Sequence, residues 1–305
     1  MAISISMRQM LEAGVHFGHQ KRFWNPKMAP YIYGEHEKIH IINLEVSLPK
    51  FRAMLEFIGN IAAKRGKILF VGTKFAAHDI VREEAVRCGM PYVDNRWLGG
   101  MLTNYKTIRQ SVRRYKDLEA LFENPKLIAG RTKKEILMMQ RQKEKLAANL
   151  EGVKNMGGLP DAVFVIDVKE EKTAIQEAKR LSIPVCAIVD TNASPEGLDY
   201  FVPGNDDAIR AVRFYCKTIA DIIIESRRVI LAEDAAKEAE RAAAKARTKL
   251  KPAPEIKAAK KVAKKKEETT VAATESVEVV EIKPAPAAKK AKSAAKKKTT
   301  KAKTE

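Results

Sequence analysis

The stretch Asn95-Arg96-Trp97-Leu98-Gly99-Gly100-Met101-Leu102-Thr103-Asn104 brings together an arginine, an indole and two adjacent glycines. Arginine supplies a planar, permanently charged fork that matches phosphate oxygens. Glycine tolerates positive φ and offers no side chain where backbone must come close to another group. The stretch reads as an anion-facing loop leading into a basic helix; the competing reading is a tight turn around a buried Trp97. In that helix Lys106, Arg109, Arg113 and Lys116 follow one another at intervals of 3, 4 and 3, which places them on one face. Upstream, Gly14 to Lys27 interleaves aromatics with cations: His16, Phe17 and His19 precede Lys21, Arg22, Phe23, Trp24 and Lys27. Cations neutralise phosphates, and aromatic rings stack on unpaired bases. Together with Arg96, Trp97 and Asn104 this strip forms a candidate nucleic-acid surface, in which Trp24 and Trp97 either stack on bases or anchor their loops.

Other residue types suggest other chemistry. Asp167, Asp190 and the pair Asp206-Asp207 each follow an apolar run. At the carboxyl ends of parallel strands they could hold Mg²⁺ for phosphoryl transfer, or simply cap helices and turns. Val71-Gly72-Thr73-Lys74 sits where a phosphate loop would, but lacks the spacing of either glycine-rich nucleotide fingerprint; Lys74 is retained as a candidate phosphate contact. The glycines of Asn155-Met156-Gly157-Gly158-Leu159-Pro160 read as a helix end and turn. His16 and His19, three apart, could ligate a metal together with a distant Asp, but cysteine or histidine partners at metal-site spacing are missing, so no metal ligand is assigned and no cofactor is expected. Nothing matches a nucleophile-base constellation, and no catalytic residue is assigned.

These residues need a scaffold. Ile68 to Gly72, Pro91 to Val93, Ala162 to Ile166, Val185 to Val189 and Tyr200 to Val202 are apolar runs without alternation. Strands covered on both faces read this way. Helical patterns over Phe75 to Arg87, Glu170 to Leu181 and Ala208 to Leu231 separate or follow them, which predicts an α/β doubly wound parallel sheet. Met7 to Ala13 is a short helix, Lys38 to Ile42 an extra strand, and Ser47 with Pro49 the start of a helix toward Lys64. Between the second and third apolar runs, Tyr105, Ile108, Val112 and Tyr115, then Ile136, Met139, Lys143, Leu146, Leu150 and Val153, follow a 3-4 spacing. That is coiled-coil periodicity; Asn124-Pro125 and Gly130 interrupt it, and Thr132 to Glu135 restarts it with a capping box. The expected organisation is an α/β domain over 1–104 and 154–231, an inserted antiparallel helical hairpin over 105–153, a helical extension over 232–247 and a tail over 248–305.

The chain has 305 residues and a net charge of +19, a balance that favours polyanionic partners. The tail has 17 Lys against 7 Glu and no aromatic residue, a charge of +10, so the body carries +9 by itself. The tail's Lys/Ala/Pro composition cannot bury enough apolar area to offset chain entropy, and disorder is expected there. Cys88, Cys186 and Cys216 are too dispersed for a metal knuckle and suit a reducing compartment. Met1 to Ser6 lacks the basic start of a secretory signal, and no run reaches membrane-spanning length. A soluble cytoplasmic protein is expected.

Several of these motifs, in order, resemble the bacterial ribosomal protein S-two family, the second protein of the small subunit. They are Met7 to Lys27, Ile39-His40-Ile41-Ile42-Asn43-Leu44, Arg96 to Asn104, Gly157 to Asp161, Ile188 to Asn192 and Val202 to Arg210. The similarity covers roughly Met1 to Ser226. It implies a flavodoxin-like fold with an inserted coiled-coil hairpin, a structural role in translation, binding to small-subunit rRNA between head and body, and a docking surface for ribosomal protein S-one beside its neighbours. It implies no enzyme activity, small-molecule substrate or membrane partner. The long basic tail departs from many members of that family. Two rival readings remain: a nucleotide-dependent α/β enzyme using the strand-end carboxylates, and a chromosome-associated protein acting through the tail.

Overall fold

The computed structural model describes residues 5–124 and 130–249. Of the expected tail, 248–305, residues 248 and 249 still belong to the last helix and the remainder lies outside the described residues, as do residues 125–129, in the break between the two helices of the inserted segment. In chain order the regular elements are α1 (Met7–Glu12), β1 (Phe17–Gln20), β2 (Ile32–His36), β3 (Ile39–Ile42), α2 (Leu44–Ala63), β4 (Ile68–Val71), α3 (Phe75–Cys88), β5 (Tyr92–Val93), α4 (Tyr105–Glu123), α5 (Lys133–Leu150), β6 (Ala162–Ile166), α6 (Lys172–Arg180), β7 (Val185–Val189), β8 (Tyr200–Pro203) and α7 (Ile209–Lys249).

The apolar runs do not alternate because both faces of their sheet are covered. In β4, Ile68 and Phe70 face one hydrophobic layer while Leu69 and Val71 face the other; β6 divides into Ala162, Phe164 and Ile166 against Val163 and Val165. The first layer contains Phe51 of α2, Val81 of α3 and Tyr215 of α7. The second contains Ala174 and Ala178 of α6, together with Trp97, Met101 and Leu102. The strand order is β5-β4-β6-β7-β8 and every pairing is parallel. That is the flavodoxin-like doubly wound order, whose ligand crevice lies where the order reverses, between β4 and β6.

The N-terminal region departs from expectation. The extra strand is β3, and it belongs to a separate three-stranded antiparallel sheet, β1-β3-β2. Lys38 lies outside it in a tight turn with φ 64°. Helix α2 begins at Leu44 and not at Ser47, because Asn43 Oδ1 already accepts from the Glu45 amide at 2.9 Å. Ser47 is buried inside the helix, where its hydroxyl donates to the carbonyl of Pro203 at 2.7 Å. Pro49 consequently sits within the helix.

Helices α4 and α5 pack on one another. The residues at 3-4 spacing are their least exposed: Tyr115, Leu118 and Leu150 are buried, and Tyr105, Ile108, Val112 and Leu146 pack against the second core layer. Arg114 meets Gln142 at 3.4 Å, and Lys143 lies over the ring of Phe122. Thr132 and Glu135 form the capping box that starts α5. No helix among the described residues is long and apolar enough to cross a membrane.

Candidate nucleic-acid interface

The loop from Asn95 to Asn104 is built around a carboxylate from elsewhere. Glu177 of α6 is 5 % exposed. It accepts from Trp97 Nε1 at 3.1 Å, from the amides of Gly100 (2.7 Å), Leu102 (3.0 Å) and Thr103 (3.1 Å), and from the Thr103 hydroxyl at 3.1 Å. Burial alone would raise its pKa, but the amides of Gly100, Thr103 and Leu102 and the Trp97 indole outweigh burial and hold it below the ordinary value. The loop's amides therefore face an internal anion. Only Gly100 is conformationally required, at φ 84°; a Cβ on Gly99 would meet nothing within 4 Å. The close approach expected of both glycines is replaced by a positive-φ turn. Trp97 is buried and anchors the loop, whereas Arg96 is exposed.

This anchoring delivers α4 to the surface. Asn104 is its N-cap residue and accepts from the Thr107 hydroxyl at 2.9 Å. Lys106, Arg109, Arg113 and Lys116 are exposed and line a groove of about 500 Å³, to which Val153, Lys154 and Gly157 also contribute. Among the described residues these four cations and Arg96 form no ion pair, while Lys154 is matched by Glu119. A row of unpaired cations on one helix face is a surface for a polyanion.

The N-terminal strip is more mixed. Phe17 (48 %), Phe23 (53 %) and Trp24 (38 %) are exposed. Arg22 lies over the Phe23 ring at 5.4 Å. Lys21 pairs with Glu35 at 2.6 Å, and Lys27 with Glu196. The Asn25 amide donates to the carbonyl of Thr191 at 2.7 Å, which ties the strip to the end of β7.

The crevice at the switch point is filled from inside. Lys74 meets Asp167 at 3.2 Å, Asp206 at 2.9 Å, and also Asp207. Burial works against its charge, but Asp206, Asp207 and Asp167 more than offset this and raise its pKa. The sequence-based reading of Lys74 as a phosphate contact thus meets a side chain already held by three carboxylates. The Thr73 amide is likewise taken, by Glu171 at 3.0 Å. His19 enters from β1; its Nδ1 lies 2.6 Å from Asp190 and its Nε2 3.1 Å from Asp207. The hydrogen bond to Asp190 raises the His19 pKa despite burial. Burial, with Asp190 and Asp167 nearby, pushes Asp206 up to about 7 against the pull of Lys74. His16, the other histidine of the pair, is not in this cluster.

Capping explains only part of the carboxylate pattern. Asp167 at φ 68° accepts from the amides of Lys169 and Glu170. For the Asp206-Asp207 pair the expected cap is supplied by their neighbour Asn205, whose Oδ1 takes the amides of Asp207 and Ala208. Glu177 was not among the sequence candidates. Its one local signal is its place three residues after Ala174, on the apolar face of α6.

Comparison with known proteins identifies relatives of this chain. A family model described as Ribosomal protein S2 matches residues 10–226. Similar curated proteins include the small ribosomal subunit protein uS2 of Coxiella burnetii strains Dugway 5J108-111, RSA 331 / Henzerling II and RSA 493 / Nine Mile phase I. Each is 69 % identical over 226 residues, spanning 74 % of this chain and 72 % of the relative. The chain belongs to the ribosomal protein S2 family.

Proposed function

We propose that this protein is a non-catalytic structural constituent of the small ribosomal subunit in the cytoplasm, held there by small-subunit rRNA along the cationic face of α4. The observation that carries this reading is the row of unpaired cations, Lys106, Arg109, Arg113 and Lys116, over an open groove, with Arg96 exposed in the loop that leads into α4. A-form RNA hides its base edges in a deep, narrow groove, so the contacts are to phosphate and shape. Lys21, Arg22, Trp24, Lys27 and Asn104 extend the surface from the strip and the α4 start. The 3-4 periodic contacts support α4 and α5 acting as an antiparallel coiled-coil hairpin that offers one face to RNA. Docking of ribosomal protein S-one and of neighbouring subunit proteins is proposed from the family resemblance alone. A nucleotide-dependent enzyme is disfavoured because the crevice is filled by Lys74 and His19.

The test is to replace Arg96 and Arg109 together by glutamate and follow entry into small subunits by sucrose-gradient sedimentation. Loss of incorporation with unchanged folding is expected; full incorporation refutes the reading. A chain truncated after Arg247 should still enter the subunit, whereas a tail-driven chromosome protein would lose its association.

A further inference from the structure

A second cavity, of about 280 Å³, opens where the chain segments that follow β6 and β7 meet helix α6. Lys172, Ile175, Gln176 and Lys179 of α6 line it. They follow one another at intervals of 3, 1 and 3, the spacing that gathers side chains on one face of a helix. The loop between β7 and β8 adds Asn192, Ser194, Glu196 and Leu198, and Val168 and Lys169 follow from the end of β6. The crevice carboxylates Asp167, Asp190, Asp206 and Asp207 do not line it. Its charge is one-sided. Lys169, Lys172 and Lys179 are exposed and form no ion pair among the described residues. Glu196, the one carboxylate of the lining, is already matched by Lys27. Backbone holds Lys179 against the loop: Gly197 stands at φ 71°, and a Cβ there would overlap the Lys179 ammonium. The rest of the lining is largely apolar. Ile175 belongs to the second core layer, and Val168 and Leu198 pack against that layer. One polar group is left over. Asn192 Oδ1 is buried with no hydrogen-bond partner, a costly state for an amide oxygen.

We propose that this cavity binds a phosphorylated nucleoside, its phosphate on Lys169, Lys172 and Lys179 and its base over Val168, Ile175 and Leu198. Three ammoniums with no protein carboxylate to neutralise them suit a compact dianion, and phosphate oxygens accept from several lysines at once. Inorganic phosphate by itself would leave the apolar lining in water and would bring no donor for the Asn192 oxygen. A nucleotide brings both. Its base covers the apolar side chains, and its ribose hydroxyls and ring amine are hydrogen-bond donors. A concave site of mostly apolar lining with a few polar groups that fix orientation is the usual form of a small-molecule pocket, and this volume, at the low end of such pockets, suits a single nucleotide. A free mononucleotide and an unpaired nucleotide of an RNA strand offer the same chemistry. The inference concerns binding alone and uses no residue of the α4 surface.

The test is calorimetric titration of the full-length chain at low salt with AMP, with inorganic phosphate and with a 5′-phosphorylated adenosine trinucleotide. AMP should bind with a Kd of about 1 mM or tighter, and about tenfold tighter than inorganic phosphate. Lys172→Gln combined with Lys179→Gln, both at exposed positions, should weaken AMP by about tenfold or more while leaving the Tm unchanged. Asn192→Ala should narrow the preference for AMP over phosphate. The trinucleotide separates the two sources. Binding tighter than AMP and weakened by the same lysine pair assigns the site to an RNA strand; AMP binding with no gain from the added nucleotides assigns it to a free nucleotide. AMP binding no tighter than inorganic phosphate overturns the proposal, as does undiminished AMP affinity in the lysine variant. The titration contains no ribosomal component, so its failure and a failure of the variants to affect subunit entry are separate results.

Discussion

Replacing Glu177 by alanine should unfasten the loop that positions both Arg96 and the start of α4. The side chain is 5 % exposed and accepts five hydrogen bonds, four from a loop whose residues lie 74 to 77 positions away and one from the indole of Trp97, 80 positions away. A hydrogen bond to a charged group contributes about 1.5–3 kcal/mol, and a buried donor left without a partner costs about 1–3 kcal/mol. The five are not additive. Gly100 and Thr103 are half-buried or exposed and their donors can turn to water, whereas the Trp97 and Leu102 donors cannot. A loss of roughly 3–5 kcal/mol follows, in the range seen when one partner of a buried ionic contact is removed. For a body of this size that corresponds to a fall in Tm of about 6–20 °C. Urea denaturation of Glu177→Ala and of Trp97→Phe, singly and together, measures it; the double-mutant coupling should reach about 1–2 kcal/mol. The pH dependence has a definite sign. Because the folded-state pKa of Glu177 is depressed, its contribution is complete above the unfolded carboxylate value of about 4.3 and is lost as pH falls from there through the folded value. Glu177→Gln should flatten that acid limb. A cost below about 1 kcal/mol for Glu177→Ala, or no coupling to Trp97, would refute the reasoning.

Other outcomes are expected. Association of the full chain with small-subunit rRNA should weaken linearly in a log-log plot against salt, and Arg109→Ala with Arg113→Ala should reduce the slope by about 1.4–1.8, one phosphate contact per arginine; an unchanged slope would place those side chains away from RNA. Gly18→Ala puts a methyl 2.8 Å from the Thr191 side chain; overpacking of that kind costs about 1–3 kcal/mol, read from the urea midpoint.

Local patterns carried much of the framework. β4, β6 and β7 were legible because strands buried on both faces show unbroken Val, Ile and Phe runs. The α4 and α5 spacing was legible because a helix facing a helix repeats its apolar residues every three or four positions. The antiparallel sheet was harder to read: β1 is Phe-Gly-His-Gln with no buried residue, so period-two patterning has nothing to act on. The start of α2 was misplaced because Asn43 and Ser47 are both good capping residues, and the choice depends on the Pro203 carbonyl that captures the Ser47 hydroxyl. The cations of α4 were legible by their spacing, and their lack of ion-pair partners became visible only once the acids of the fold were in place.

The sequence alone determined the class of sheet, the helical pair, the cationic face of α4 and the family motifs, because each is written in neighbouring residues whose periodicity or order survives without the fold. The tertiary structure alone decided what those motifs touch. Glu177 captures the glycine loop, and His19 meets Asp190 across 171 positions of chain. Such partners converge only after the core has closed over the sheet, and burial then decides whether a charged group faces solvent and a polyanion or is held by groups of opposite charge within the protein.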